Sequence, residues 1–125
     1  MKLSTIINAR SVLESIADRE DVGAHLSYWM TRFVVKTQGD QEFYISEVRK
    51  IFNKYAEAKE DGTSIVPKEK MEDFQADVAK LGETEAEDPG IRFKLAELAD
   101  NLKLSMKQMF PLLDFIDLYL EASVY

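Results

Sequence analysis

Apolar residues recur along this chain at intervals of three and four almost from its first residue, the spacing that lines one face of an α-helix. Leu3, Ile6, Ile7, Leu13, Ile16 and Ala17 form the first such stripe, with Arg10 filling one turn of it. The stripe predicts a helix over residues 4–19, ended by the polar run Asp18-Arg19-Glu20-Asp21 and by Gly23. A longer stripe follows between Ala24 and Ala58. Met30, Phe33, Thr37, Gln41, Tyr44, Val48, Ile51 and Tyr55 step by three or four throughout, as in a helix–helix seam. Thr37 and Gln41 make the middle of that seam polar. Gly39 sits between them, and glycine costs a helix interior about 1 kcal/mol against alanine. The register is the same on both sides, so the expectation is one continuous helix over 24–58, roughly 50 Å long. Two helices meeting near Gly39 are the alternative.

The pattern then changes. Asp61-Gly62 is a turn signal, and Thr63 to Val66 are β-branched enough for a short strand. Pro67 suits the first turn of a helix running to Leu81, with Met71, Phe74, Val78 and Leu81 on one face and Gly82 as its C′ cap. The stretch GETEAEDPG is acidic and lacks apolar periodicity, which predicts a flexible loop. In IRFKL, Ile91, Phe93 and Leu95 would share one strand face while Arg92 and Lys94 meet water. The strand around Ile65 is the expected partner, giving a two-stranded ribbon backed by helices. A helical reading competes, since Leu95, Leu98 and Leu102 also fit that period.

Near the end, Ser105 with Gln108 makes a capping box, and Leu104 with Met109 is placed for a hydrophobic staple. Pro111 lies too deep for an uninterrupted helix from 106, because it removes a hydrogen bond to the Lys107 carbonyl. A tight first turn and a restart near Phe110 reconcile the two signals. Leu112, Leu113, Phe115, Ile116, Tyr119 and Leu120 are then expected in the core. The fold class that follows is mainly α (α+β): a helical bundle with one long helix and a small two-stranded β ribbon, in a single domain over 1–125.

Composition narrows the function rather than the fold. At 125 residues, 46% hydrophobic and 31% charged, the chain is ordinary for a globular domain able to fold without staples. The longest apolar stretch, MFPLLDFIDLYL, is broken by Asp114 and Asp117, so no membrane span is expected. The opening residues are periodic rather than continuously apolar and carry no secretory cleavage pattern. With no cysteine, disulfides and thiolate zinc sites are excluded, and a cytosolic or virion setting is expected rather than a secreted one. The net charge of −7 argues against direct nucleic-acid binding by phosphate neutralisation. That charge is uneven: residues 1–66 carry nine basic and ten acidic side chains, residues 67–125 seven and thirteen. The acidic half would attract a basic partner surface.

Candidate chemistry is sparse. An EF-hand around Asp61-Gly62 would place Lys59 and Lys68 at positions that must supply oxygen to calcium. Glu83, Glu85, Glu87 and Asp88 form an acidic cluster with nothing to hold metal-ligand geometry, though it could touch a basic partner. His25, the only histidine, has Ser27 two residues on, which on a helix points elsewhere. No glycine-rich phosphate loop, HExxH or GxSxG occurs. No enzyme activity, cofactor or metal is therefore expected. The aromatic residues of 24–58 say more. Phe33 and Tyr44 lie on the seam, whereas Trp29 and Phe43 lie off it, so this helix is apolar on two sides. Such a helix sits between neighbours or meets another chain, a homodimer included.

From Leu26 onward the chain resembles a family of small, mostly bacteriophage-encoded proteins classed as a domain of unknown function. The resemblance lies in LSYWMTRFV, FYISEVRKIFNKYAE, EDGTSIVPKE, MEDFQADVAKL, the acidic loop before IRFKLAEL, and LSMKQMFPLLDFI. It implies a phage origin and a helical body with a small β element, and it brings no activity or site residues with it. A phage setting implies an accessory protein whose partner is a host or phage protein. It would bind and inhibit a host defence or nucleic-acid enzyme, or else serve as a head or tail assembly component.

Overall fold

In the computed structural model, which describes residues 1–117, the first apolar stripe forms helix α1 (Leu3–Ile16). Leu3, Ile6, Ala9, Arg10, Leu13 and Ile16 face inward. No side chain caps its start. The orphan N–H of Leu3 instead donates to the Thr84 carbonyl at 2.8 Å, and Ala86 N–H donates to the Met1 carbonyl at 2.7 Å. Lys2 and Glu85 thus form an antiparallel bridge, and the acidic loop expected to be flexible is tied along the edge of α1. Its far end is set by Asp88, which accepts from Gly90 N–H at 2.8 Å and pairs with the Arg92 guanidinium. Gly90 has φ +75°, a conformation natural to glycine.

The expected long helix is two helices. α2 (Ala24–Lys36) and α3 (Gln38–Tyr55) meet at Thr37, whose φ of −102° and ψ of 10° interrupt the helical path. The cause is Arg10 rather than Gly39. Arg10 is only 3% exposed, and its Nη1 donates to the Val34 carbonyl at 2.6 Å and to Thr37 Oγ1 at 2.8 Å. Its Nη2 donates to Gln38 Oε1 at 3.1 Å and to Glu14 Oε1 at 3.2 Å. The Thr37 hydroxyl passes its own hydrogen to the Phe33 carbonyl at 2.7 Å. A side chain inserted among the carbonyls of a helix bends it at that point. The polar middle of the seam is therefore where α1 plugs in.

α3 ends at Tyr55, three residues short of the expected boundary. Glu57–Ala58 (β1) pairs antiparallel with Ser64–Ile65 (β2), Glu57 opposite Ile65 and Ala58 opposite Ser64. The two-stranded ribbon is present, but its partner strand is β1 and not the segment around Phe93. Hairpin neighbours joined by a short turn close a far smaller loop than residues 65 and 93 would. Gly62, at φ +88°, makes the turn, and Asp61 accepts from both the N–H and the hydroxyl of Thr63.

After a 3₁₀ turn at Lys68–Lys70, helix α4 (Met71–Gly82) returns along α3. Phe74 meets Phe52 and Tyr55 edge-on, both at 6.4 Å. The Tyr55 hydroxyl donates to Asp77 Oδ2 at 2.7 Å, with Lys54 Nζ 3.2 Å from the same oxygen. Gly82 is the last residue of the helix rather than its C′ cap. A Cβ there would stand 3.0 Å from Ser4 Cβ, so glycine allows α4 to approach α1.

Ile91 and Phe93 are buried and Arg92 and Lys94 exposed, as the alternation predicts. The strand is reduced to one parallel bridge, Phe93 to Ile116, with Phe93 N–H on the Phe115 carbonyl and Asp117 N–H on the Phe93 carbonyl. From Leu95 the chain turns helical and widens into a π turn over Glu97–Asn101, burying Leu98 and Leu102. The extended and helical readings each hold for half the segment. The main core is closed by Phe33, which meets Phe115 edge-on at 4.9 Å and Phe93 at 6.0 Å. Tyr119 and Leu120, expected in the core, lie outside the described residues.

Removing the Arg10 side chain strands the polar groups that it joins, so Arg10→Ala is expected to lower unfolding stability by about 3 kcal/mol. Arg10→Lys should not restore it, since an ammonium cannot reach two sides of the joint at once. Urea unfolding followed by circular dichroism measures both.

Hydrogen bonding, first from Tyr55 and then from Lys54, holds the Asp77 carboxyl below its usual range. A depressed carboxyl stabilises the fold above the unfolded pKa of about 4 and ceases to do so as pH falls through the folded value. The urea midpoints of the wild type and Asp77→Asn should therefore differ at neutral pH, begin to approach as pH falls below about 4, and meet once it has passed the lower, folded value.

Candidate interaction surface

The capping box is formed: Ser105 Oγ accepts from Gln108 N–H at 3.2 Å, and Gln108 Oε1 accepts from Ser105 N–H at 2.9 Å. It starts a single helical turn, α5 (Met106–Met109), after which the chain tightens into a 3₁₀ segment over Phe110–Phe115 with Pro111 near its start. In an α turn residues four apart stack, and in a 3₁₀ turn residues three apart eclipse. Met106, Phe110 and Leu113 consequently fall on one outer ridge, where they are 86%, 72% and 46% exposed. Leu112, Phe115 and Ile116 turn the other way into the core, so Leu113 is the one of the four described residues that departs from expectation.

The ridge stands on an anchored stretch. Buried Leu102 and Leu104 flank Lys103, which adopts the left-handed conformation at φ 54°. Leu104 N–H returns to the Leu98 carbonyl at 3.2 Å, and Arg19 Nη2 donates to the Leu102 carbonyl at 2.8 Å. The sequence carries a signal for this ridge that periodicity alone misses. The stretch from Met106 to Ile116 holds more large apolar side chains than one helix face can bury.

The residues singled out from sequence are dispersed. Phe33 is fully buried at the centre of the aromatic core and presents nothing to a partner, which corrects its place among the interaction candidates. The seam spacing that marked it is a core signal. Trp29 remains partly exposed on α2, edge-on to exposed Tyr28 with ring centroids 5.2 Å apart. Phe43 is exposed and Tyr44 half-buried, both on α3 beyond the Thr37 joint. Glu83, Glu85 and Glu87 are exposed, while Asp88 is engaged by Arg92. That pairing, with Gly90 N–H, holds the Asp88 carboxyl below its usual range. The four acids are spread along the tied loop rather than gathered at one point, and no group of three or more acidic or histidine side chains that could hold a metal ion occurs among the described residues.

His25 lies in the first turn of α2, exposed, with Nδ1 2.9 Å from Glu97 Oε1. The pair borders a cleft of about 460 Å³ lined also by Asp21, Gly23, Asn101 and Leu102. Its histidine faces a carboxylate, and the described residues that line the cleft include no serine or threonine. No helix among the described residues is long and apolar enough to cross a membrane.

The chain matches no protein-family model, no curated protein and no solved structure. The resemblance to phage-encoded proteins therefore rests on the residues quoted for it above.

Left-handed backbone at a residue with a Cβ costs on the order of 1 kcal/mol relative to glycine. Lys103→Gly is expected to raise the urea midpoint accordingly while leaving the helical circular dichroism unchanged. A lowered midpoint would mean that the lysine stem contributes packing.

Proposed function

We propose that this protein acts by contact, as a small accessory protein that binds another protein and modulates or inhibits it. The observation that carries the reading is the ridge of Met106, Phe110 and Leu113. Three large apolar side chains aligned on one line and held out by a capped turn are the form of a hydrophobic anchor for a partner's groove. The acidic loop adds electrostatic guidance toward a basic surface. The phage resemblance supports a host protein, a defence or nucleic-acid enzyme, as the class of target.

A head or tail assembly role is the second reading, and the outward apolar face of α2 favours it, because assembly subunits bury such faces on one another. Affinity capture from host lysate and from phage particles, with wild type and with a Met106→Ser, Phe110→Ser, Leu113→Ser variant, separates the two. Stoichiometric retention of one host protein by the wild type, lost at least roughly tenfold in a variant that keeps its circular dichroism, is the expected result. Retention of particle proteins alone would favour assembly. Turnover of a substrate by the purified protein would sink both readings.

A further inference from the structure

α2 turns Leu26, Met30 and Phe33 into the core. Half a turn away, Ala24, Tyr28, Thr31 and Val35 step by four, three and four, the spacing of a seam between paired helices. Tyr28 is 57% exposed and Val35 65%. A helix apolar on two opposite sides belongs between two layers, and this chain's main core supplies one of them. The charges at the two ends say what the other layer is. Exposed Asp18 and Glu20 precede α2, where Asp21 is taken up by Arg19, and exposed Arg32 lies in its second half beside Lys36, whose Nζ rests on the Pro89 carbonyl. Against an antiparallel copy of itself, each acidic end meets a basic end and the helix dipoles oppose. A parallel copy would set like charges together.

We infer that α2 is the interface of a twofold-symmetric homodimer, its Tyr28–Val35 face packed antiparallel on the same face of a second copy. Such an interface is isologous, so one patch serves as both halves. A helix of this length, about 20 Å, buries on the order of 1,000 Å² in total, the low end for specific association, and the dimer dissociates on dilution. Trp29, the only tryptophan, meets the ring of Tyr28 edge-on at 5.2 Å, so its fluorescence reports a change at Tyr28.

Sedimentation velocity over a wide concentration range, with Trp29 emission measured in parallel, tests the proposal. The wild type should pass from monomer to dimer with a blue shift of the emission. Tyr28→Glu with Val35→Glu should stay monomeric with unchanged circular dichroism. Arg32→Glu should weaken the dimer roughly tenfold, and adding Asp18→Lys and Glu20→Lys in the same chain should restore it. A wild type that is monomeric throughout overturns the inference, as does a dimer that survives both glutamates or a charge exchange without rescue. The variant lacking the Met106–Leu113 ridge should dimerise normally, so loss of partner capture and loss of self-association are read separately.

Discussion

The guanidinium of Arg10 sits where three helices must agree. It leaves α1 and ends among the Val34 carbonyl in the last turn of α2, the hydroxyl of the joint residue and the first side chain of α3. A buried cation of this kind adds little net stability compared with an apolar replacement of equal shape, because desolvation offsets much of the attraction. It is strict about geometry, however. The four groups it satisfies must converge within hydrogen-bonding distance, and only one disposition of α1, α2 and α3 allows that. Arg10 Nε and Gln41 Oε1 remain buried without partners, so the joint is held by the two terminal nitrogens Nη1 and Nη2 rather than by full saturation.

The bend at Thr37 divides the molecule into two packing regimes. On the α2 side, Phe33 stacks edge-on with Phe115 and beside Phe93, bringing the last described segment under the first two helices. α3 itself has no buried residue, and it leans on α4 through half-buried aromatic rings and the Tyr55–Asp77 hydrogen bond. A continuous helix would have carried α3 away from α1. The bend lets α1 touch α3 and α4 together, with Gly82 accepting Ser4 at the closest point.

The charged and the apolar side chains outside the core are arranged differently. Ion pairs close two loops on themselves, Asp88 with Arg92 and Arg19 with Asp21, while His25 in the first turn of α2 meets Glu97 of the π turn. The apolar groups left outside are ordered in lines, one along α5 and the 3₁₀ segment and one along α2. Apolar side chains aligned at helical spacing offer a partner a continuous strip, which scattered exposed residues do not.

Local pattern was enough to specify the helical content, the capping box at Ser105, the turn at Asp61-Gly62 and the alternation of Ile91 to Lys94. Each of these depends on interactions within a few residues. The polar middle of the long seam was also legible at Thr37 and Gln41. What filled it was not, because Arg10 is some 27 residues away and a lone arginine in an apolar stripe reads equally well as surface. Tertiary structure alone decided that Gly82 would serve packing rather than capping, and that Phe33 would be core while Met106 and Phe110 stayed outside. Spacing says which side chains share a face of an element. Which face meets water depends on what the rest of the chain lays against it.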